Sequence, residues 1–303
     1  MQDRTQLAEA DGRLRELSEA MAAIKTATSR ALAQEMSSGL ASSIVIENRP
    51  GAAGTVGAAS VSTAAPDGYT LLMGTISNVS LAPSFYSIKY DPIKSFTHIG
   101  SVASVPLVLV ASPNGVFSDF KSFEDKASKI ATLSYSSPGV GGPQHLAGVL
   151  LSRQLGLSAL HVPYKSGGAA VTAVVSGEVQ FAFVGIPVAA SLVSAKKLIP
   201  VFVTSQRRSA ALPAVPTAAE VGLRGFEIDN WHALFAPAGL APSVREILSN
   251  ALQQALKSPV VKEQFSRLGA EPAPGSGAQL EAWVASETER WGKFVADNKL
   301  KVE

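Results

Sequence analysis

The chain has 303 residues, with 26 Lys and Arg against 24 Asp and Glu, a formal net charge of +2 and no cysteine. The lack of cysteine excludes disulfides, thiolate nucleophiles and Cys-ligated metals, and a near-neutral charge without a basic block argues against nucleic-acid binding. Charged residues make up only 17% of the chain, and no apolar run reaches the length of a transmembrane helix. We therefore expect a compact α/β protein of one large domain or two smaller ones.

Apolar residues recur at helical spacing near the start of the chain, at Leu14, Leu17, Met21 and Ile24. This spacing predicts an amphipathic helix. A secretory signal needs an uninterrupted apolar core of roughly 7–15 residues, whereas charges interrupt this segment throughout. We therefore expect no signal peptide in the sequence as given.

Predicted strands and helices alternate along the rest of the chain. The predicted strands are Ser43–Glu47, Tyr69–Gly74, Val105–Ala111, Ala131–Tyr135, Ser158–Val162, Val179–Val184, Leu198–Thr204 and Glu227–Pro237. The predicted helices are Thr28–Met36, Ala58–Ala65, Ser118–Ile130, Pro143–Leu150, Ala169–Ser176, a helix ending near Lys196, Ser243–Lys257 and Gly277–Asp297. Such alternation is typical of parallel sheets covered by helices.

The most informative stretch runs from Ser134 to Leu151 and reads S-Y-S-S-P-G-V-G-G-P-Q-H-L-A-G-V-L-L. A strand ends here, a glycine-rich turn follows, and Pro143 begins a helix, as proline is favoured to do. Glycines leave backbone N–H groups accessible, and a helix N-terminus carries unpaired donors and partial positive charge. The stretch is a candidate anion socket, although many such turns bind nothing. Its spacing matches neither phosphate-binding glycine pattern, which favours a carboxylate over a nucleotide.

Catalytic and metal-binding patterns are missing from the sequence. The four histidines, His98, His145, His161 and His232, lack zinc-site spacing, and there is no G-x-S-x-G elbow. His145 follows Ser137 closely, but no nearby carboxylate obviously orients it for nucleophilic catalysis. We interpret His145 as a hydrogen-bonding residue at a helix start and keep a Ser137–His145 hydrolase as an alternative. Glycine-rich loops without an acid, base, nucleophile or metal favour a binding protein that needs no cofactor over an enzyme.

Four other residues have two readings each. Lys165 is either a charge partner for an anion or a solvated surface residue, and Asn48 and Arg49 either bind a carboxylate or cap a turn. Trp231 fits core or hinge packing better than a stacking platform.

Several ordered motifs resemble one known family. They are V-I-E-N-R-P-G-A-A-G-T-V-G-A from Val45, A-P-D-G-Y-T-L-L-M-G-T from Ala65, S-x-G-x-G-x-x-x-H-L-A-G from Ser137, V-P-Y-K-S-G-G-A-A from Val162 and the block Val203–Glu227. Together they resemble the solute receptors of tripartite tricarboxylate transporters, often called Bug-type receptors. The resemblance extends from Thr28 onward.

The resemblance implies a type II periplasmic-binding-protein fold of two lobes, with mixed sheets flanked by helices and two crossover hinge strands. It implies one lobe from 27–103 and 229–303, a second from 104–228, and an atypical helical segment over 1–26. A monomeric periplasmic receptor would bind a small carboxylate between the lobes and deliver it to membrane permease subunits. The implied ligand contacts are Thr75, Ser77, Asn78, Ser137, Gly141, Gly142, Gln144, Tyr164 and Pro187.

The N-terminal segment departs from the family, whose members begin with a signal peptide, a first strand and a glycine-rich loop that forms one wall of the site. Here a charged helical segment replaces them. Three explanations stay open, namely a wrong start or a frameshift in the given sequence, a degenerate paralogue, or an altered receptor. The alternative function is a non-transporting sensor or interaction protein, which could dimerise through the apolar residues of that helix. A second departure is Val184–Gly185, where relatives often carry polar residues.

Overall fold

The computed structural model describes residues 25–49 and 51–300. These residues form two compact units, which we call the terminal unit (25–105 with 230–300) and the central unit (106–229). The predicted helix through Leu14 and Ile24, its possible dimer contact and the predicted replacement of the family's first strand lie outside the described residues. The lobe boundaries implied by the resemblance stay a prediction.

Helices and strands follow one another in three stretches of chain. The first contains α1 (25–40), α2 (Thr55–Ser62), β1 (Leu72–Thr75), α3 (Ala82–Phe85) and β2 (Phe96–Ser104). The second contains β3 (Leu107–Ala111), α4 (Phe120–Ala127), β4 (Leu133–Ser137), α5 (Pro143–Gln154), β5 (Ala159–Pro163), α6 (Gly167–Ser176), β6 (Phe181–Gly185), α7 (Ile186–Ser194) and β7 (Ile199–Val203). The third contains β8 (His232–Pro237), α8 (Pro242–Lys257), α9 (Pro259–Arg267), β9 (Glu271–Ser276) and α10 (Gly277–Asp297).

The terminal unit is built on a four-stranded sheet of order β1-β8-β2-β9, in which every pairing is antiparallel. Helices α8 and α10 pack on β2. The apolar face of α10 explains its packing, because Leu280, Val284, Trp291 and Val295 recur at helical spacing and are all buried. Ser276 starts this helix by accepting a hydrogen bond from the Gln279 N–H at 3.3 Å.

The central unit is built on a five-stranded sheet of order β5-β4-β6-β3-β7. Strand β4 runs parallel to β5 and β6, whereas β3 runs antiparallel to β6 and β7. Strands β3, β4 and β6 are buried along their whole length, as expected for strands covered on both faces. Because β5, β4 and β6 are parallel, their C-terminal ends meet at one edge of the sheet.

Three sequence predictions about the fold are wrong. The terminal sheet is antiparallel, because its strands come from distant parts of the chain rather than from strand–helix–strand repeats. Residues 43–47 belong to no strand, since no described strand pairs with them, and Val45 is 86% exposed. The sequence reading also missed β2, α9 and β9. Strand β9 reads E-P-A-P-G-S, a composition tolerated only at a sheet edge, which is where it lies.

Gly148 allows α5 to approach β4 closely, and this approach predicts the cost of adding a methyl group. A Cβ at Gly148 would overlap the ring carbons of Tyr135, which is buried against Phe181. We expect Gly148→Ala to lower the free energy of unfolding by about 1–3 kcal/mol, as overpacking does, measured by urea denaturation.

Gly292→Ala in α10 is the matched control, because the nearest atom to its Cβ would be Ser84 Oγ at 3.7 Å. A helix alanine without a clash should be neutral or stabilise by up to about 1 kcal/mol. Equal effects of the two substitutions would contradict the packing argument.

Candidate functional site

Three helices of the central unit begin at the edge where the parallel strands end. Ser137 at the end of β4 is level with Pro163 at the end of β5, and Gly185 ends β6. Helices α5, α6 and α7 each follow one of these strands. Unpaired N–H groups and partial positive charge are therefore concentrated at this edge, which we call the strand-end site.

Only one of the three helices has a side chain that caps its N-terminal N–H groups. Ser166 caps α6, since its hydroxyl accepts from the Ala169 N–H at 3.2 Å. The N-cap residues of α5 and α7 are Gly142 and Gly185, which have no side chain that could cap the helix. Each helix also has a proline in its first turn. The N-termini of α5 and α7 thus have no side-chain cap.

The loop from Ser137 to Gly142 is held by its own hydrogen bonds. Ser137 is 1% exposed, and its Oγ donates to the Gly139 carbonyl at 2.7 Å and accepts from the Gly139 N–H at 3.2 Å. The Tyr164 N–H donates to the Ser137 carbonyl at 2.9 Å, extending the β4–β5 pairing. Gly139 and Gly141 have φ of 140° and 81°, which side-chain-bearing residues adopt only with strain.

Two histidines, the buried His145 and the half-buried His161, hydrogen-bond to this loop. The Gly141 N–H donates to His145 Nδ1 at 3.2 Å, and His161 Nε2 lies 2.7 Å from Ser137 Oγ. The two imidazole rings are 4.1 Å apart between centroids. Burial, with a smaller contribution from the His161 charge, lowers the pKa of His145 to about 3, and burial lowers the pKa of His161 to about 4. Both rings are therefore neutral at neutral pH.

This geometry confirms the interpretation of His145 as a hydrogen-bonding residue at a helix start. It does not form the Ser137–His145 pair that a hydrolase would use, because Ser137 bonds to Gly139 and His161 while His145 Nδ1 is taken by Gly141. Neither ring is hydrogen-bonded to a carboxylate of the described residues. Within 25–49 and 51–300 there is also no group of three His, Asp or Glu that could hold a metal.

The other predicted contacts of the central unit differ in whether their polar groups already have hydrogen-bond partners. No described residue accepts a hydrogen bond from the N–H of Gln144 or His145 in the first turn of α5. Pro187 is half-buried in the first turn of α7. Tyr164 is engaged elsewhere, since its hydroxyl donates to Glu178 at 2.8 Å, and burial together with Glu178 raises its pKa to about 12.

The predicted contacts of the terminal unit surround the end of β1. Asn78 Oδ1 accepts from the Thr75 N–H at 2.7 Å and from Thr75 Oγ1 at 3.2 Å. Its Nδ2 donates to the Gly54 carbonyl at 3.4 Å, and its own carbonyl accepts from the Tyr90 hydroxyl. Thr75 and Asn78 thus satisfy each other. Ser77 is half-buried at the start of a π-helical turn, and its hydroxyl has no partner among the described residues.

The structure shows the surroundings of the four residues that have two readings. Asn48 Oδ1 accepts from Thr26 Oγ1 at 3.1 Å. Arg49 pairs with Glu47 at 2.8 Å on the surface, and this pair raises the pKa of Arg49 and lowers that of Glu47. Trp231 is buried against Trp283, with ring centroids 5.7 Å apart, which confirms packing. Lys165 is exposed.

Sequence reasoning missed two histidines that lie next to the predicted contacts. One is His161, described above. The other is His232, whose Nδ1 lies 3.2 Å from Thr28 Oγ1 and which pairs across the sheet with Thr75. Burial, and secondarily the Lys25 charge, lowers the pKa of His232 to about 3. In the sequence, only the position of each histidine pointed to this role, because each lies on a predicted strand next to a candidate loop.

Known proteins resemble this chain over most of its length. A family described as "Tripartite tricarboxylate transporter family receptor" matches residues 28–300. The UPF0065 protein in the TAR-I ttuE-ttuC' intergenic region of Agrobacterium vitis is 35% identical over 274 residues, which cover 88% of this chain and 79% of that protein.

Two solved structures are similar over most of both chains. The periplasmic binding protein BugD is 31% identical with a TM-score of 0.78, covering 92% of this chain and 94% of BugD. MatC from Rhodopseudomonas palustris, solved with bound malate, is 31% identical with a TM-score of 0.76, covering 89% and 94%. These similarities and the mixed sheets flanked by helices confirm the predicted periplasmic-binding-protein fold class. No described helix is long and apolar enough to cross a membrane.

The depressed pKa of His145 predicts how stability depends on pH. Its pKa in the folded protein is about 3, below the ordinary value of 6.5 that holds in the unfolded chain. Between these values the unfolded chain binds a proton that the folded protein excludes, so stability falls as pH falls below about 6.5.

We expect the wild type to lose stability between pH 6.5 and 4.5 more steeply than His145→Asn, by up to about 1.4 kcal/mol per pH unit. The asparagine keeps an oxygen that can accept from Gly141 but does not titrate. Urea denaturation at several pH values measures both slopes, and parallel slopes would mean that His145 is not held neutral by the fold.

Proposed function

This chain belongs to the tripartite tricarboxylate transporter receptor family, and we propose that it is a periplasmic receptor that binds one small carboxylate for such a transporter. The ligand is a di- or tricarboxylate, an amino acid or an aromatic acid. The protein holds it without chemical turnover and without a cofactor, acts as a monomer, and presents it to membrane permease subunits.

One observation carries the proposal, namely the uncapped N-termini of α5 and α7 at a shared sheet edge. A carboxylate placed there accepts hydrogen bonds from the N–H groups of Gln144 and His145 and lies in the partial positive charge of the helix ends. The neighbouring α6 differs, because Ser166 Oγ already accepts from its Ala169 N–H. The malate bound by the similar MatC supports a ligand of this chemical class.

The predicted contacts take different roles in this proposal. In the central unit, Gly142 and Gln144 face the carboxylate, and Tyr164 and Pro187 line the site. Ser137 and Gly141 shape the loop, since their polar atoms are already bonded within it. In the terminal unit, the Ser77 hydroxyl has no partner among the described residues, and the Thr75–Asn78 pair fixes the adjacent backbone.

A carboxylate at the start of α5 predicts the effect of adding a negative charge there. Gln144→Glu places a second carboxylate in the first turn, where it repels the ligand but suits the helix dipole. We expect the affinity for the best ligand to fall at least about tenfold, equivalent to about 1.4 kcal/mol, while the melting temperature stays the same or rises. Isothermal titration calorimetry measures the affinity after a thermal-shift screen of citrate, malate, succinate, glutamate, aspartate, nicotinate, benzoate and terephthalate.

Ser243→Glu is the matched control, because Ser243 is the exposed second residue of α8 and the charge change is identical. This variant should bind as the wild type does. Equal affinity of Gln144→Glu and the wild type would place the ligand elsewhere. A chain that melts cooperatively but binds none of these acids would favour the alternative of a non-transporting sensor or interaction protein.

A further inference from the structure

The glycine loop of the strand-end site is held at its two ends by different histidines. His161, on β5, reaches the first end through Ser137 Oγ at 2.7 Å. His145, on α5, holds the second end by accepting from the Gly141 N–H at 3.2 Å. The two rings lie against each other at 4.1 Å, and His161 also packs on Tyr135 at 5.0 Å.

The hydrogen bonds of Ser137 decide which nitrogen of His161 carries its proton. The Gly139 carbonyl can only accept, so the Ser137 hydroxyl must donate its single proton to it, at 2.7 Å. Ser137 Oγ then accepts from the Gly139 N–H and from His161 Nε2–H. By the same reasoning His145 carries its proton on Nε2, because its Nδ1 accepts from Gly141.

The Nε2–H bond and the ring of His161 therefore act on different parts of the loop. The Nε2–H bond fixes the direction of the Ser137 hydroxyl and, through it, both polar groups of Gly139. The ring supports the His145 ring and, through it, the Gly141 N–H. The N–H bond and the ring can be separated by substitution, because phenylalanine keeps the ring and glutamine keeps a donor near the position of Nε2.

We propose that His161 is a positioning residue, which holds the Ser137–Gly142 loop in the shape that presents the first turn of α5 to a carboxylate. The proposal rests on the proposed function in assigning the ligand, but the effect of His161 on the loop does not depend on any ligand. His161 itself touches no ligand and acts through Ser137 and His145.

Hydrogen exchange and nitrogen-15 spectra of the ligand-free protein test the positioning step. In the wild type we expect His161 and His145 to be neutral and protonated on Nε2 at pH 7. In His161→Phe the Gly139 amide should exchange about tenfold faster, the change expected from one lost hydrogen bond, while the Gly141 amide keeps its rate. His161→Gln should restore the Gly139 rate to within about threefold of the wild type.

His98→Phe is the matched control, because His98 is a buried histidine of the terminal unit whose Nε2 has no partner within the described residues. It should change neither glycine amide. A purely structural role for His161 predicts that phenylalanine and glutamine disturb Gly139 and Gly141 alike, and this result would overturn the proposal. So would a His161 protonated on Nδ1, or a Gly139 amide that does not respond to His161→Phe.

Calorimetric titration with malate, and with the best acid of the panel, tests the link to binding. We expect His161→Phe to weaken binding about tenfold and His161→Gln to restore it to within about threefold. If the wild type binds no acid while the amide pattern appears as expected, the proposed function fails and the positioning of the loop stands. If the wild type binds and His161→Phe binds equally well, the positioning proposal fails and the receptor assignment stands.

Discussion

The parallel pairing of β4 with β5 and β6 is the constraint from which the candidate site follows. Parallel strands must end on the same side of a sheet, so the helices that follow them begin on that side. In the central unit this places the starts of α5, α6 and α7 together. The terminal sheet is antiparallel throughout, and its candidate contacts arise differently, from a π-helical turn that directly follows β1.

Capping then decides which of the three helix starts remains available. Ser166 caps one N–H of α6, whereas Gly142 and Gly185 provide no side-chain cap for α5 and α7. The candidate site is made from neutral groups, since His145 and His161 are neutral at neutral pH and the Ser137 hydroxyl is bonded to the backbone. Fixed dipoles that need no reorganisation suit a protein that must hold an anion and release it unchanged.

Much of the fold could be predicted from local signals in the sequence. Pro143 correctly predicted the start of α5. The predicted bounds of α10, Gly277 and Asp297, are also the observed ones, because Ser276 caps the helix and an amphipathic pattern follows. The prediction failed where pairing decides the structure. Residues 43–47 have the composition of a strand but no described partner strand, and β9 is a strand despite two prolines because it pairs with β2 on one side only.

The site was predicted in outline, and its internal bonding was not. The glycines and Pro143 identified the loop, because their backbone consequences are local. The contact of His161 with Ser137 could not be predicted, since it depends on the register of β4 against β5. The bonds of the Asn78 side chain to Thr75 and Gly54 were not predicted either, and its role as a ligand contact stays a prediction.

The most direct test of the central claim is to follow backbone amide signals by NMR while a binding carboxylate is titrated into the protein. The account predicts that the amides of Gln144 and His145 shift strongly and saturably, because a carboxylate accepts their hydrogen bonds. Saturable binding that leaves both amides unmoved would contradict the claim that the first turn of α5 holds the ligand.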